Sequence, residues 1–252
     1  MKEKIKELVN KKSFHIIVLT VIVLTLLFIL GITILDYNEN GEKNIPFNVT
    51  KISLISTSEG IDKVSEGNKW AFDINQNNDI YIYIEKNENY NKVDTIENVV
   101  LDNFKLNRQK EIGETKIFKP DATSENLIFT NKEENVENSI TYVAGTESKF
   151  KDLKILNQGD VLAFRVSNIN VASYESNEEE EINHGELLKK AGLTMEDLKG
   201  TLEFDLTINL NSGRSFKGTY SIELPAGDIT ENATTNKDIT DFSKVVFKRI
   251  KN

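Results

Sequence analysis

Residues 201–210 read TLEFDLTINL. Leu202, Phe204, Leu206, Ile208 and Leu210 alternate strictly with Glu203, Asp205, Thr207 and Asn209. That period of two belongs to a strand with one face in a core and the other in water; a helix would scatter the same apolar side chains around its circumference. Asn211-Ser212-Gly213-Arg214 follows, and SFKGTYSIEL then sets Phe216, Tyr220, Ile222 and Leu224 opposite Lys217, Thr219, Ser221 and Glu223. The two segments predict an antiparallel β-hairpin, with Gly213 supplying the positive φ of its turn.

Working outward, most of the chain after Pro46 carries strand signatures. FNVTKISLIST, starting at Phe47, is dense in β-branched residues, and Val161 to Val166 forms another such segment. Val99 and Leu101 share one face, whereas Phe104 and Leu106 fall on the other unless one residue is inserted, so a β-bulge is expected near Asp102 and Asn103. Shorter apolar segments around Ile117, Leu127 to Phe129, Ile140 to Val143 and Leu153 to Leu156 read as edge or connecting strands. Val245 to Ile250 reads as a last strand placed inside a sheet.

Only 183–200 reads helical: Asn183 with Glu186, and Thr194 with Asp197, have the spacing of capping pairs, and Gly192 and Gly200 stand at stop positions. The expected fold is therefore an all-β domain over 46–252, an antiparallel β-sandwich, immunoglobulin-like in architecture, with a short helical insertion. Two smaller sandwiches divided within Asn131 to Asn138 are the alternative, which no internal repeat supports.

Ahead of this domain, FHIIVLTVIVLTLLFILGITIL runs from Phe14 to Leu35 without a charge. About 20 such residues cross a bilayer as a helix. A secretory leader has a shorter apolar region and a small-x-small cleavage site, and Asp36-Tyr37-Asn38-Glu39 offers none. The segment reads as one transmembrane signal anchor, with the lipid bilayer as its partner. Residues 1–13 form a basic cytoplasmic tail carrying Lys2, Lys4, Lys6, Lys11 and Lys12, and the acidic side, with Asp36, Glu39 and Glu42, faces out. Residues 36–45 are expected to be a linker.

The 252-residue chain has a formal net charge of -9, which argues against nucleic acid as a partner. It has no cysteine, excluding disulfides and thiolate chemistry. Its abundance of Asn, Ile, Lys and Glu fits a low-GC bacterial coding style.

Candidate chemistry concentrates in WAFDINQNNDIYIYIEKN, starting at Trp70. Asp73, Asn75, Asn77 and Asp79 stand at alternate positions, like the first ligands of a calcium loop. Asn78 occupies the place that needs glycine and Ile84 the place that needs a bidentate Glu. The expected structure is an Asn-rich turn between strands at Trp70 to Ile74 and Asp79 to Glu85, with a weak Ca2+ site as the alternative and no other cofactor. Tyr81 and Tyr83 share the face opposite Ile80, Ile82 and Ile84. They are the candidate binding residues, unless a second layer such as the helical insertion covers them.

Glu178 to Glu181, with His184 and Glu186, reads as a solvated acidic loop; a divalent-metal site and a docking surface for a basic partner are the other readings. No GxSxG, GxxxxGK, GxGxxG or HExxH pattern is present. The expected function is a membrane-anchored, extracytoplasmic, non-catalytic binding module engaging an envelope protein or a wall polymer. The alternatives are a carboxylate-dependent cell-surface hydrolase, needing only two Asp or Glu about a cleft, and a structural subunit that self-assembles through strand edges.

Overall fold

A computed structural model describes residues 12–63, 69–121, 129, 138–145, 152–177 and 181–250. The expected basic tail up to Lys11, the strand segment at 127–128, the two-domain boundary at 131–137 and the acidic residues at 178–180 lie outside them. The chain divides into two units, residues 1–43 and 44–252, each considered by itself.

The first unit holds helix α1 (Lys12–Asn40). Its hydroxyls turn inward along the backbone: Thr20, Thr25 and Thr33 donate to the carbonyls of Ile16, Val21 and Ile29 at 2.9, 2.8 and 2.9 Å, so no side-chain donor is left over in an apolar surface. The stretch Phe14–Asn40 is a candidate membrane span by length and composition, and none of its most apolar window is buried in protein. The expected linker is shorter than the sequence suggested, because the helix continues through Asp36–Asn40. Asp36 accepts from Asn40 Nδ2 and Lys43 Nζ, each at 2.7 Å, and Gly41, at φ 68°, closes the helix by donating to Tyr37 O at 2.8 Å.

The second unit contains eleven strands among the described residues, in two sheets. One sheet has the order β10-β1-β2-β7-β4, built from β1 (Phe47–Asp62), β2 (Ala71–Lys86), β4 (Glu114–Phe118), β7 (Val161–Glu175) and β10 (Thr234–Ile239). The other has the order β11-β9-β8-β3-β5-β6, built from β3 (Ile96–Arg108), β5 (Ser139–Ala144), β6 (Leu153–Ile155), β8 (Gly200–Leu210), β9 (Ser215–Leu224) and β11 (Lys248–Ile250). All pairs are antiparallel except β5 with β6.

The hairpin read from the sequence is β8 and β9, with Gly213 at φ 75° and its N–H on Leu210 O at 2.9 Å. The bulge is also where the phase break put it. Asp102 pairs with Asp205 and Lys105 with Glu203, so Asn103 and Phe104 together oppose Phe204, and Asn103 takes φ 55°. Phe104 and Leu106 are thereby returned to the apolar side.

Apolar faces of both sheets contribute to one cluster that includes Ile52, Leu54, Ile80, Ile82, Phe164, Leu101, Tyr142, Leu206 and Tyr220. Rings bridge the sheets: Phe164 lies 5.2 Å from Phe104 and 5.3 Å from Phe204, centroid to centroid, and Phe204 stacks on Tyr220 at 5.5 Å. Such pairs add stability beyond their buried area. Tyr142 reaches from β5 to β7, where its hydroxyl donates to Ala163 O at 2.7 Å and accepts from Ala163 N at 2.9 Å. β4 stops pairing at Arg165, so this hydroxyl takes over where the neighbouring strand ends.

Three expectations are corrected. First, the Asn-rich turn does not exist: β2 is continuous, and Gln76 and Asn78 occupy fully buried positions within it. Asn78 finds partners for both ends of its amide, whereas Gln76 finds one for its carbonyl oxygen and its Nε2 has none among the described residues. Ser56 Oγ donates to Asn78 Oδ1 at 2.7 Å, Asn78 Nδ2 to Val166 O at 3.3 Å, and Asn168 Nδ2 to Gln76 Oε1 at 2.6 Å.

Second, Val245 to Ile250 is not an interior strand, since β11 pairs only with β9 at a sheet edge. Phe247 packs instead over Gly218, where an added Cβ would meet its ring at 3.1 Å.

Third, the insertion does not cover Tyr81 and Tyr83. It comprises a 3-10 turn at His184–Glu186, α2 (Leu187–Lys190) and α3 (Met195–Leu198). Leu187, Leu188 and Leu198 form a second cluster with Phe72, Ile74, Val171 and Ile229. Because Phe72 and Ile74 alternate with the tyrosines' positions, the insertion lies on the opposite face of β2. The Thr194–Asp197 capping box is present, whereas Asn183 Oδ1 accepts from Gly185 N at 3.0 Å and Glu186 meets Asn183 through its backbone N–H on Asn183 O at 3.0 Å.

Phe204→Ala removes the ring on which both sheets converge. In urea unfolding of the full chain in detergent, it is expected to cost about 3–5 kcal/mol; a loss below about 1 kcal/mol would show that this contact does not hold the sheets together.

Candidate functional site

Asp73, Asn75, Asn77 and Asp79 lie along one strand rather than around a loop. Alternate residues share a face and stand roughly 6–7 Å apart, so the first and last are separated by about 20 Å. Each has local partners instead. Asp73 Oδ1 accepts from Ser173 Oγ at 2.6 Å and Lys63 Nζ at 3.0 Å, which hold its carboxyl below the usual carboxylate range, Ser173 first. Asn75 Oδ1 accepts from Asn170 N at 2.9 Å. Asn77 Oδ1 accepts from Ser167 Oγ at 2.7 Å, while its Nδ2 donates to Glu59 at 3.1 Å. Asp79 receives Arg165 side-on, Nε at 2.5 Å and Nη2 at 3.0 Å.

Tyr81 and Tyr83 stand half-buried on this same outward face of β2. Lys51 Nζ lies 4.1 Å from the Tyr83 ring centroid, and Arg165 lies 4.7 Å from that of Phe129. Both are cation–π contacts. Burial, then the charge of Asp79, raises the Tyr81 hydroxyl above the ordinary phenol range. Lys51 therefore flanks the Tyr83 ring, and both tyrosines remain partly open to solvent.

Of the acidic region, His184 is described and its ring meets Phe72 edge-on at 5.5 Å, against the second cluster. Among the described residues no three His, Asp or Glu side chains come together in a way that could hold a metal ion.

The sequence did not reveal a cleft of about 840 Å3, lined by residues 107–109 at the end of β3, Met195 of α3, residues 199–201 entering β8, residues 223–228 leaving β9, and Lys237 of β10. Its floor turns through a cis Leu224-Pro225 peptide and is pinned from the other sheet, where Ser56 Oγ accepts from Ala226 N at 2.8 Å. α3 is tied to the segment after β3 by Lys110 Nζ on Asp197 Oδ1 at 2.7 Å. That bond, with the Thr194 backbone and hydroxyl, holds the Asp197 carboxyl down to about 2.

Arg108 dominates the chemistry of this cleft. It pairs with Gly200, where an added Cβ would sit 2.9 Å from the Arg108 Cγ, so glycine lets the stem lie against β8. One hydrogen bond, Nη1 to Ile112 O at 3.1 Å, engages the guanidinium.

No protein-family model matches the chain, and neither a curated protein nor a solved structure matches it. Because β2 spreads Asp73, Asn75, Asn77 and Asp79 along its length, the melting temperature of the chain is expected to be the same in millimolar calcium and in chelator. An upward shift in calcium, abolished by Asp73→Ala together with Asp79→Ala, would show that these oxygens do gather an ion.

Proposed function

We propose that the chain is a single-pass membrane protein with its N-terminus in the cytoplasm. It displays an extracytoplasmic β-sandwich, immunoglobulin-like in architecture, as a non-catalytic binding module for an envelope protein or a wall polymer. The observation that carries this reading is α1, whose apolar side chains are exposed all round. In water that surface would be costly, and in a bilayer it is the favourable one. The lysines before the span and the acids after it support the orientation.

Tyr81 and Tyr83 offer the contact surface on this reading. A Tyr83 ring already flanked by Lys51 loses little side-chain entropy on binding, which suits an anchor residue. A photo-reactive residue at position 83 should form a discrete adduct with one protein or polymer in intact cells, and Tyr81→Ala should weaken that capture about tenfold. Recovery of the uncoupled chain alone would overturn the proposal.

A second reading, a carboxylate-dependent cell-surface hydrolase, is favoured by one observation: Glu223 and Asp228 line the same cleft. Thr230, whose hydroxyl donates to Asp228 Oδ1 at 2.6 Å, lowers that carboxyl and suits it to remain ionised rather than act as the proton donor. Release of reducing ends from a wall glycan, lost in Glu223→Gln, would replace the binding reading with this one.

A further inference from the structure

We propose that the cleft between the end of β3, the start of β8 and the turn after β9 binds a singly charged oxyanion, a carboxylate or a phosphodiester, with Arg108 as its anchoring cation. The inference rests on the binding-module reading and gives the ligand its chemistry.

The argument begins with register. The bulge at Asn103 and Phe104 returns Phe104 and Leu106 to the apolar side of the sheet, and Arg108, two residues further, follows on that side. It stands across the sheet from Gly200, whose other cross-strand partner is the buried Leu224. A position next in line for an apolar side chain therefore carries a guanidinium.

That guanidinium is underused. Beyond the bond to Ile112 O it makes no hydrogen bond or ion pair with a described residue, and its Nε is buried without a partner. Burial pushes Arg108 down to about 10. A partly desolvated cation without a counter-charge is unfavourable, and a bound oxyanion relieves that cost through the planar, two-pronged geometry that arginine offers carboxylate and phosphate groups.

Charge count selects the ligand's valence. Arg108 is a partly buried lining cation without an ion-pair partner among the described residues, and Glu223 and Asp228 line the same cleft. Lys199 is paired with Glu196, whereas Lys237 makes no hydrogen bond or ion pair with a described residue. Lys237 is opposite Leu54 in the β1–β10 ladder, so it shares the face that carries the core and can reach over the cleft. A monoanion supplies the one counter-charge that Arg108 lacks; a phosphomonoester dianion or a polyanion would meet the two carboxylates. Asn107, Gln109 and Thr201 also line the cleft and suit a ligand whose body is polar and uncharged.

The test is titration of the full chain in detergent, read by melting temperature and by amide chemical shifts. Glucuronate is the carboxylate probe, dimethyl phosphate the phosphodiester probe, and glucose and chloride at matched ionic strength are the controls. Saturable binding of at least one anion, without a matching response to the controls, is expected. Arg108→Gln should weaken it about tenfold or more, and Lys237→Gln by a smaller factor. Lys237 is exposed on an edge strand, so its variant decides the matter if Arg108→Gln fails to fold. A response to glucuronate alone assigns the site to carboxylates, and to dimethyl phosphate alone to phosphodiesters.

Saturation by neither anion, or unchanged affinity in both variants, overturns the proposal. If position 83 still captures a partner in cells when neither anion binds, the binding module stands and only this site falls.

Discussion

Hydrogen bonds among buried amides and hydroxyls tie the β unit together. β2 runs from the insertion's cluster into the main core, carrying Gln76 and Asn78 between them. Each unmade hydrogen bond there would cost more than a made one contributes. The bonds that Ser56 and Asn168 donate and that Val166 O accepts lock β1, β2 and β7 in one register, and Thr115 Oγ1 on Asn168 Oδ1 at 3.0 Å extends the lock to β4. Ser56 also holds Ala226, so the same network sets the floor of the cleft on the other sheet. Hydrophobic burial supplies the larger energy, but it tolerates slippage by two residues; the amides do not.

Where the pattern was local, it could be read. Strict alternation around Phe204 identified the β8–β9 hairpin, and the broken phase between Leu101 and Phe104 located a bulge without any knowledge of β8. The Thr194–Asp197 spacing marked a helix start for the same reason, since every participant lies within one turn.

The continuity of β2 failed to show itself, although both its ends were read as strands, because Asn-Gln-Asn-Asn-Asp has the composition of a turn and the partners that make it a strand are distant. Asn168 is 92 residues from Gln76. β10 was hidden similarly: TTNKDI is polar up to Ile239 and owes its place to pairing with β1 at a sheet edge. The cleft lay one step beyond the reading made. Extending the shifted phase through Phe104 and Leu106 puts Arg108 on the apolar side, a signal contained in the sequence. By contrast, the approach of Gly200, Pro225 and Lys237 depends on tertiary contacts. The acidic overall charge also concealed a locally cationic surface, because net charge averages over faces that never meet.

Tyr142 has a consequence for how copies of this protein behave when crowded on a surface. A strand edge with free N–H and C=O groups is a template on which any extended segment can grow, and proteins held at high local density meet that hazard continually. Along β7 the backbone at Ala163, beyond the last residue paired with β4, would be such a template if left unmatched. The Tyr142 hydroxyl answers both groups of Ala163 at once, acting as donor and acceptor in the place where another backbone would have to dock. One side chain from the opposite sheet thus works as a plug against templated growth at that point of β7.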